Sequence, residues 1–192
     1  MNENIVQALK NGELCILPSD TIYGIACIAL DTTYIQKIFD IKKRSVNKQM
    51  PVHFCDIEKI KEDFICSENF IKLSKIIWPG GVTVVLKCKE NSKLLHIGET
   101  VAVRIPNHNE LLDIISKTGP LIMTSANISN EQEEYEFNKI QNVFNLKGIE
   151  DDKNISKKSS TIISFIDDKI KLIRAGVVSY ENIIKEYELI CL

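Results

Sequence analysis

A chain of 192 residues, 44% of them hydrophobic and 26% charged, has the length for one sizeable core and the composition of an ordinary globular domain. Its formal net charge of -2 argues against a whole surface built to hold nucleic acid, and no apolar run approaches the ~20 residues of a membrane span. The first residues carry no basic n-region, and six widely spaced cysteines form no C-x-x-C pair, which points to buried thiols in a reducing cytoplasm and away from a zinc site with His53, His96 or His108.

Taken in order, Asn2 to Leu9 has a helical pattern with Ile5, Ala8 and Leu9 on one side and Gly12 as a stop. Leu14 to Leu17 reads as a short buried strand ended by Pro18. The polar loop Ser19-Asp20-Thr21-Ile22-Tyr23-Gly24 then opens into the apolar run Ile25 to Leu30. Asp31-Thr32-Thr33 can cap a helix over Thr32 to Ile41, where Ile35, Ile38, Phe39 and Ile41 follow helical spacing. A basic loop from Lys42 to Lys48 follows, then a buried strand over Pro51 to Cys55. Helices fit Ile57 to Phe64 and Ser67 to Ile77, and Trp78-Pro79-Gly80-Gly81 breaks the second sharply. Thr83 to Lys87 and Thr100 to Ile105 read as strands, Asn107 to Lys117 as a helix closed by Gly119-Pro120, and Leu121 to Met123 as a strand running into Thr124-Ser125-Ala126-Asn127. From Asn130 to Lys158 the chain is rich in Glu, Asn and Lys, with one helix expected between Glu136 and Leu146. Ser160 to Ile166 and Lys169 to Ile173 make a hairpin around Asp167-Asp168, and Ser179 to Tyr187 is a final capped helix. Strands and helices mix without strict alternation and no linker divides the chain, so the expectation is one α/β domain over residues 1–192 with a twisted, open, mixed sheet.

Five polar motifs fall where strands end, and connections at strand ends can converge on one crevice. They are the Ser19 to Gly24 loop, the basic loop with His53, the strand ending in Arg104, Ser125-Ala126-Asn127, and the pair Ser160 and Arg174. Four cations fall within Lys42 to Lys48 of a chain that is slightly acidic overall, so they form a local feature suited to phosphate: Arg offers a planar fork and Lys a mobile point charge. A solvated polar loop is the plain alternative. Arg104 and Arg174 each close an apolar strand, where a charge is costly to bury unless paired or bound to an anion. Singly, each reads as a strand-end residue in solvent; with Arg44 and Lys48 they make an anion site for a triphosphate. Ser125 and Asn127 offer short donors beside a chain reversal. P-loop, G-x-G-x-x-G and G-x-S-x-G patterns are absent.

Seven of these motifs in order, Pro18-Ser19-Asp20-Thr21-Ile22-Tyr23-Gly24, Lys42-x-Arg44 with Pro51-Val52-His53, Trp78-Pro79-Gly80, Val101-Ala102-Val103-Arg104-Ile105-Pro106, Ser125-Ala126-Asn127-Ile128-Ser129, Ser160-Thr161 and Arg174-x-Gly176, resemble the YrdC family of threonylcarbamoyl-AMP synthases, over roughly Gly12 to Gly176. The resemblance implies a twisted open α/β sheet with a concave basic cavity. It implies the joining of L-threonine, bicarbonate and ATP into threonylcarbamoyl-AMP with release of pyrophosphate, for modification of the adenosine next to the anticodon of tRNA. By position, Thr21, His53, Arg104, Ser125 and Ser160 look like threonine-binding residues, and Arg44, Lys48, Thr100, Asn127 and Arg174 like ATP-binding ones. The implied partners are those three substrates and a downstream tRNA-modifying threonylcarbamoyl transferase, with weak RNA binding as a further option and no membrane.

The chain departs from the pattern in places. Ser19 stands for a usual Thr, Thr124 for Pro, Gly81 for Pro and Asn130 for Gly, and Tyr135 falls near a position that often carries a small hydroxyl residue contacting ATP. The longer branch of the family adds a second domain that covers the site; here closure is expected from this domain's loops or from a partner. The chemistry fits without a protein nucleophile, and no catalytic residue is assigned. Capture of carbon dioxide or bicarbonate by the threonine amine, then attack of the carbamate oxygen on the α-phosphorus, asks for cations and positioned hydrogen bonds. Magnesium is expected to travel with ATP, with no dedicated protein metal site. His53 is expected to hydrogen-bond a substrate carboxylate. Two other functions compete: an RNA-binding module with a basic concave surface and no catalysis, and a carbamoyl-transfer domain detached from a larger maturation enzyme. The first wants more stacking aromatics than Tyr23 and Phe54, and the second wants zinc-finger-like cysteine motifs.

Overall fold

The architecture comes from a computed structural model that describes residues 2–43, 50–128 and 131–191. Short polar residues start most of the helices. α1 (Asn2–Lys10) buries Ile5, Val6, Ala8 and Leu9, as its spacing demands, and Gly12 follows at a φ of 77° with its Cα against the Tyr34 ring. α2 (Thr32–Lys42) is capped by Asp31, α3 (Ile57–Asp63) by Asp56 and α4 (Glu68–Ile77) by Ser67, each accepting a backbone N–H of the first turn. α5 (Asn109–Thr118) starts later than its apolar pattern suggests, because the His108 ring is its cap and the Asn107 N–H is taken by Asp20. α6 (Phe137–Phe144) and α7 (Tyr180–Cys191) complete the described helices.

The strands are β1 (Cys15–Leu17), β2 (Gly24–Ile28), β3 (Val52–His53), β4 (Val82–Lys87), β5 (Thr100–Arg104), β6 (Leu121–Ser125), β7 (Lys147–Gly148), β8 (Thr161–Ile166) and β9 (Lys169–Arg174). They form one sheet in the order β7-β1-β2-β6-β3-β5-β4-β8-β9. The β1–β7, β3–β5 and β4–β8 pairs are parallel and the rest antiparallel, so the sheet is mixed, as the irregular alternation of elements implies. β7 has too few residues to show a pattern. It lies flat on β1 because Gly148 has no Cβ; one would stand 2.5 Å from the Ile16 carbonyl oxygen.

Alternation along the strands sends Ile16, Ile25, Val84, Val103, Ile122 and Ile163 to one face, under Ile38, Ile60, Phe70, Leu73 and Ile183 of the helices. The other face is half covered. Cys15, Leu17, Ala26, Leu121 and Met123 pack beneath α1 and α5. Beyond β6 the same face carries His53, Arg104, Thr83 and Ile162 as the floor of an open cavity, whose described lining includes no helix residue. The half-covered face is what positions the site.

Candidate active site

Register assembles the floor. His53 on β3 stands opposite Arg104 on β5. Thr83 and Arg104 lie one step past the Val84–Val103 pair, Thr83 faces Ile162, and Ile162 faces Arg174. Residues scattered from position 53 to 174 therefore form one row across five strands. The walls come from the β1–β2 loop with Ser19 and Thr21, from Ser125 at the end of β6, from Ser159 and Ser160 before β8, and from Glu133. The cavity holds about 220 Å³. That is below the ~300–1,000 Å³ of pockets for drug-sized ligands, a size for a small polar molecule.

Arg104 is buried, 3% exposed, and locked by the protein. Its Nε donates to the Gly80 carbonyl at 2.9 Å, one terminal nitrogen to Thr21 Oγ1 at 2.7 Å, and the other to Asp20 Oδ1 at 2.7 Å. A guanidinium has five N–H donors, so two remain beyond these three bonds, one on each terminal nitrogen. Desolvation pushes the Arg104 pKa down, Asp20 resists that fall, and nearby Arg174 adds to it. Ser19 and Thr21 share a hydrogen bond of 2.9 Å between their hydroxyls, which fixes Thr21 beneath the fork.

His53 is 4% exposed and its Nδ1 is buried without a hydrogen-bond partner. Burial and the Arg104 charge push its pKa down to about 3, against the pull of the Pro51 and Leu121 carbonyls, so the ring is neutral. In the unfolded chain the ring takes a proton near pH 6.5 and in the folded one only near 3, so its contribution to stability is complete above 6.5 and shrinks as pH falls toward 3. Chemical denaturation between pH 6.5 and 4.5 is expected to show stability falling by up to about 1.4 kcal/mol per pH unit, with a clearly shallower slope in His53→Gln. Parallel slopes would show that His53 is not the group responsible.

Ser160 Oγ bonds Thr83 Oγ1 at 2.9 Å, and the Arg174 guanidinium donates to the Ser160 carbonyl at 2.8 Å. Arg174 is an exposed residue that lines the cavity; desolvation lowers its pKa and the Glu133 carboxylate opposes the fall. Gly176, two residues after Arg174, serves packing. A Cβ on Gly176 would sit 2.3 Å from both the Ser160 carbonyl carbon and the Thr161 nitrogen. Gly176 thus admits the backbone of Ser160. Gly176→Ala is expected to cost about 1–3 kcal/mol, as overpacking does, and to move Ser160 and Arg174 together. A thermal midpoint equal to wild type would contradict that contact.

Thr21, His53, Arg104, Ser125, Ser160 and Arg174 all line the cavity. Asn127 stands one layer behind: its Oδ1 accepts the Ser125 hydroxyl at 2.7 Å and its Nδ2 donates to the Glu131 carbonyl at 2.7 Å. Thr100 opens β5 opposite Lys87. It shares the face of Arg104 but lies four residues, about 13 Å, along the strand, and it does not line the cavity. Arg44, Lys48 and Asn130 lie outside the described residues. The cavity's described charges are Arg104, Arg174 and Glu133, so its basic character rests on two guanidiniums against one carboxylate.

The reading of site residues from sequence left out Ser19, Thr83, Glu133, Ser159 and Ile162 of the lining, and Lys42 behind it. Lys42 is 1% exposed and threads its ammonium to the carbonyls of Ser125 and Asn127, the latter at 2.7 Å, with Asn127 Oδ1 at 3.3 Å. It fixes the Ser125-Ala126-Asn127 turn. The signal was present, since Lys42 continues the stripe of Ile35 and Ile38 and so had to point inward. Among the described residues, no three His, Cys, Asp or Glu side chains cluster to hold a metal, and no helix is long and apolar enough to cross a membrane. Burial pushes the thiols of Cys15 and Cys27 up to about 12 and Cys66 up to about 11, so these cysteines stay protonated.

With this geometry in hand, similarity to known proteins can be weighed. The Sua5/YciO/YrdC family model, described as "Telomere recombination", matches residues 7–176. A putative threonylcarbamoyl-AMP synthase of Methanocaldococcus jannaschii is 30% identical over 94% of this chain and 88% of its own length. The threonylcarbamoyl-AMP synthase of Bacillus subtilis is 30% identical over 91% of this chain, which spans only 53% of that relative. The crystal structure of P. abyssi Sua5 complexed with L-threonine superposes with a TM-score of 0.86 at 27% identity, over 95% of this chain and 56% of that one. A match spanning the cavity residues from Ser19 to Arg174 leaves one conclusion: the chain belongs to the Sua5/YciO/YrdC family.

Proposed function

We propose that this chain is an L-threonylcarbamoyladenylate synthase, forming threonylcarbamoyl-AMP and pyrophosphate from L-threonine, bicarbonate and ATP. The observation that carries the reading is the orphaned Nδ1 of His53 beside the two spare N–H groups of Arg104, in a small cavity ringed by hydroxyls. A buried polar atom without a partner is costly, and a carboxylate-bearing ligand would engage that corner. The relative solved with L-threonine, and the synthases among the relatives, supply the ligand's identity by analogy.

In this reading Arg104 grips the threonine carboxylate, while Thr21, Ser125 and Ser160 read its hydroxyl and line its course. Arg174, Asn127 and the cations at 44 and 48 hold the triphosphate, with Thr100 given that role by family position alone. The amine takes up carbon dioxide, and a carbamate oxygen then displaces pyrophosphate at the α-phosphorus. Holding anionic reactants in line is the protein's whole contribution, through fixed donors in a partly desolvated site. Magnesium bound to the triphosphate would neutralise part of its charge and would travel with the nucleotide. The product passes to a tRNA-modifying threonylcarbamoyl transferase in the cytoplasm, a placement the free thiols suit. RNA binding without chemistry is disfavoured. Tyr23, the aromatic side chain of the described lining, is 1% exposed and spends its hydroxyl on Asp152 at 2.6 Å, so it offers no stacking face.

Incubation with ATP, bicarbonate and threonine, followed by detection of pyrophosphate and the adenylate, tests the reaction; absence of both at saturating substrates sinks it. Serine is expected to turn over more slowly than threonine and valine more slowly still, because valine leaves the pocket hydroxyls unpaired. Equal rates for threonine and valine would remove the hydroxyl-reading role.

A further inference from the structure

Glu133 is the one carboxylate among the described residues lining a cavity otherwise suited to anions. It is half-buried, in the stretch between β6 and α6, and it is held in place. Ser159 Oγ donates to its Oε1 at 2.6 Å, and the Tyr135 hydroxyl reaches its Oε2 at 3.2 Å. A carboxylate has about four acceptor positions, so about two remain for a ligand.

A negative charge here weakens the site for triphosphate and carboxylate alike unless it meets a positive group. Arg174 is one such group, and the amino acid supplies another. A zwitterion carries a carboxylate and an ammonium on the same carbon, and the cavity carries a matching pair of signs: the spare N–H groups of Arg104, and the free lone pairs of Glu133. We propose that Glu133 accepts the α-ammonium of the amino-acid substrate and so makes this chain specific for α-amino acids over the corresponding acids that lack the amine. This rests on the synthase reading of the site. Glu133 then touches the substrate at the nitrogen that becomes the carbamate, and orients it. Ser159 and Tyr135 act through Glu133, by setting its rotamer.

The test is equilibrium binding of L-threonine and of 3-hydroxybutyrate, which is threonine with hydrogen in place of the amine, to the full chain. Wild type is expected to prefer threonine by at least tenfold. Glu133→Gln, which keeps shape and loses charge, is expected to lose at least tenfold in threonine affinity while 3-hydroxybutyrate binds unchanged or tighter. Glu133→Asp keeps the charge on a shorter stem and should fall between, and it serves as a second probe should the amide variant unfold. The proposal is overturned if Glu133→Gln keeps the wild-type preference, or if both ligands weaken equally. Tighter ATP binding with unaltered threonine binding also overturns it, by assigning Glu133 to repulsion of the triphosphate beside Arg174. Wild type that binds no threonine removes the synthase reading itself, whereas wild-type binding with an indifferent variant removes only the role of Glu133.

Discussion

Arg104→Ala is expected to lower the unfolding free energy by about 3–5 kcal/mol, the cost of breaking a buried ion pair from one side. The Asp20 carboxylate, 18% exposed, would lose its 2.7 Å partner, and Gly80 and Thr21 would lose their donor. Denaturant titration measures that cost. The informative companion is Arg104→Lys, which retains the charge. An ammonium on a flexible stem cannot reach Gly80, Thr21 and Asp20 and still present two spare N–H groups, so threonine affinity is expected to fall by ten- to a hundredfold, about 1.5–3 kcal/mol. ATP affinity measured without threonine should barely change. Arg174→Lys should show the opposite bias, since Arg174 closes the other end of the floor. Both ligands are anionic and some cross-talk is expected, so the ratio of the two effects is diagnostic. Equal weakening of both substrates by both variants would dissolve the division of the cavity.

Lys42→Met should be nearly as damaging, through a different route. The carbonyls of Ser125 and Asn127 both take the Lys42 ammonium in a place 1% exposed. Methionine fills the volume but leaves those acceptors without the charge, at about 1–3 kcal/mol each. The turn they belong to carries the Ser125 hydroxyl and Asn127, so nucleotide and threonine affinity are both expected to drop, along with a lower denaturation midpoint. Calorimetry and denaturation on the same variant separate the two: full ligand affinity at reduced stability would make Lys42 a purely structural residue.

Much of this was readable from the chain, and the failures have physical causes. The apolar stripes of α1 and α4, the capping residues Asp31 and Ser67, and the β8–β9 hairpin are local, and the sequence shows them directly. Mixed sheet architecture followed from irregular alternation. Pair register is a long-range property, so nothing in the sequence said that His53, Arg104, Thr83 and Ile162 share one row. Thr100 stands apart from the described cavity, and its expected place with ATP rests on family position alone. Lys42 was hidden among neighbouring cations whose plain reading is solvent. Glu133 sits in a Glu-rich stretch of weak pattern, where no spacing separates the residue that turns inward from those that do not.

The parallel pairing of β4 with β8 has a consequence for biosynthesis. Residues emerge from the ribosome at about 5–20 per second, so β4 and β5 are made several seconds before β8 exists. Through that interval β4, with Val82, Val84, Val85 and Leu86, has one side unpaired and is a sticky edge of the kind that recruits other chains. Arg104 and His53 are already synthesised, but the far wall, Ser160 and Arg174, is not. β8 covers that edge, and its hairpin partner β9 brings Arg174 a few residues later, so the β8–β9 hairpin that completes the binding surface also ends the exposure of β4 to its neighbours.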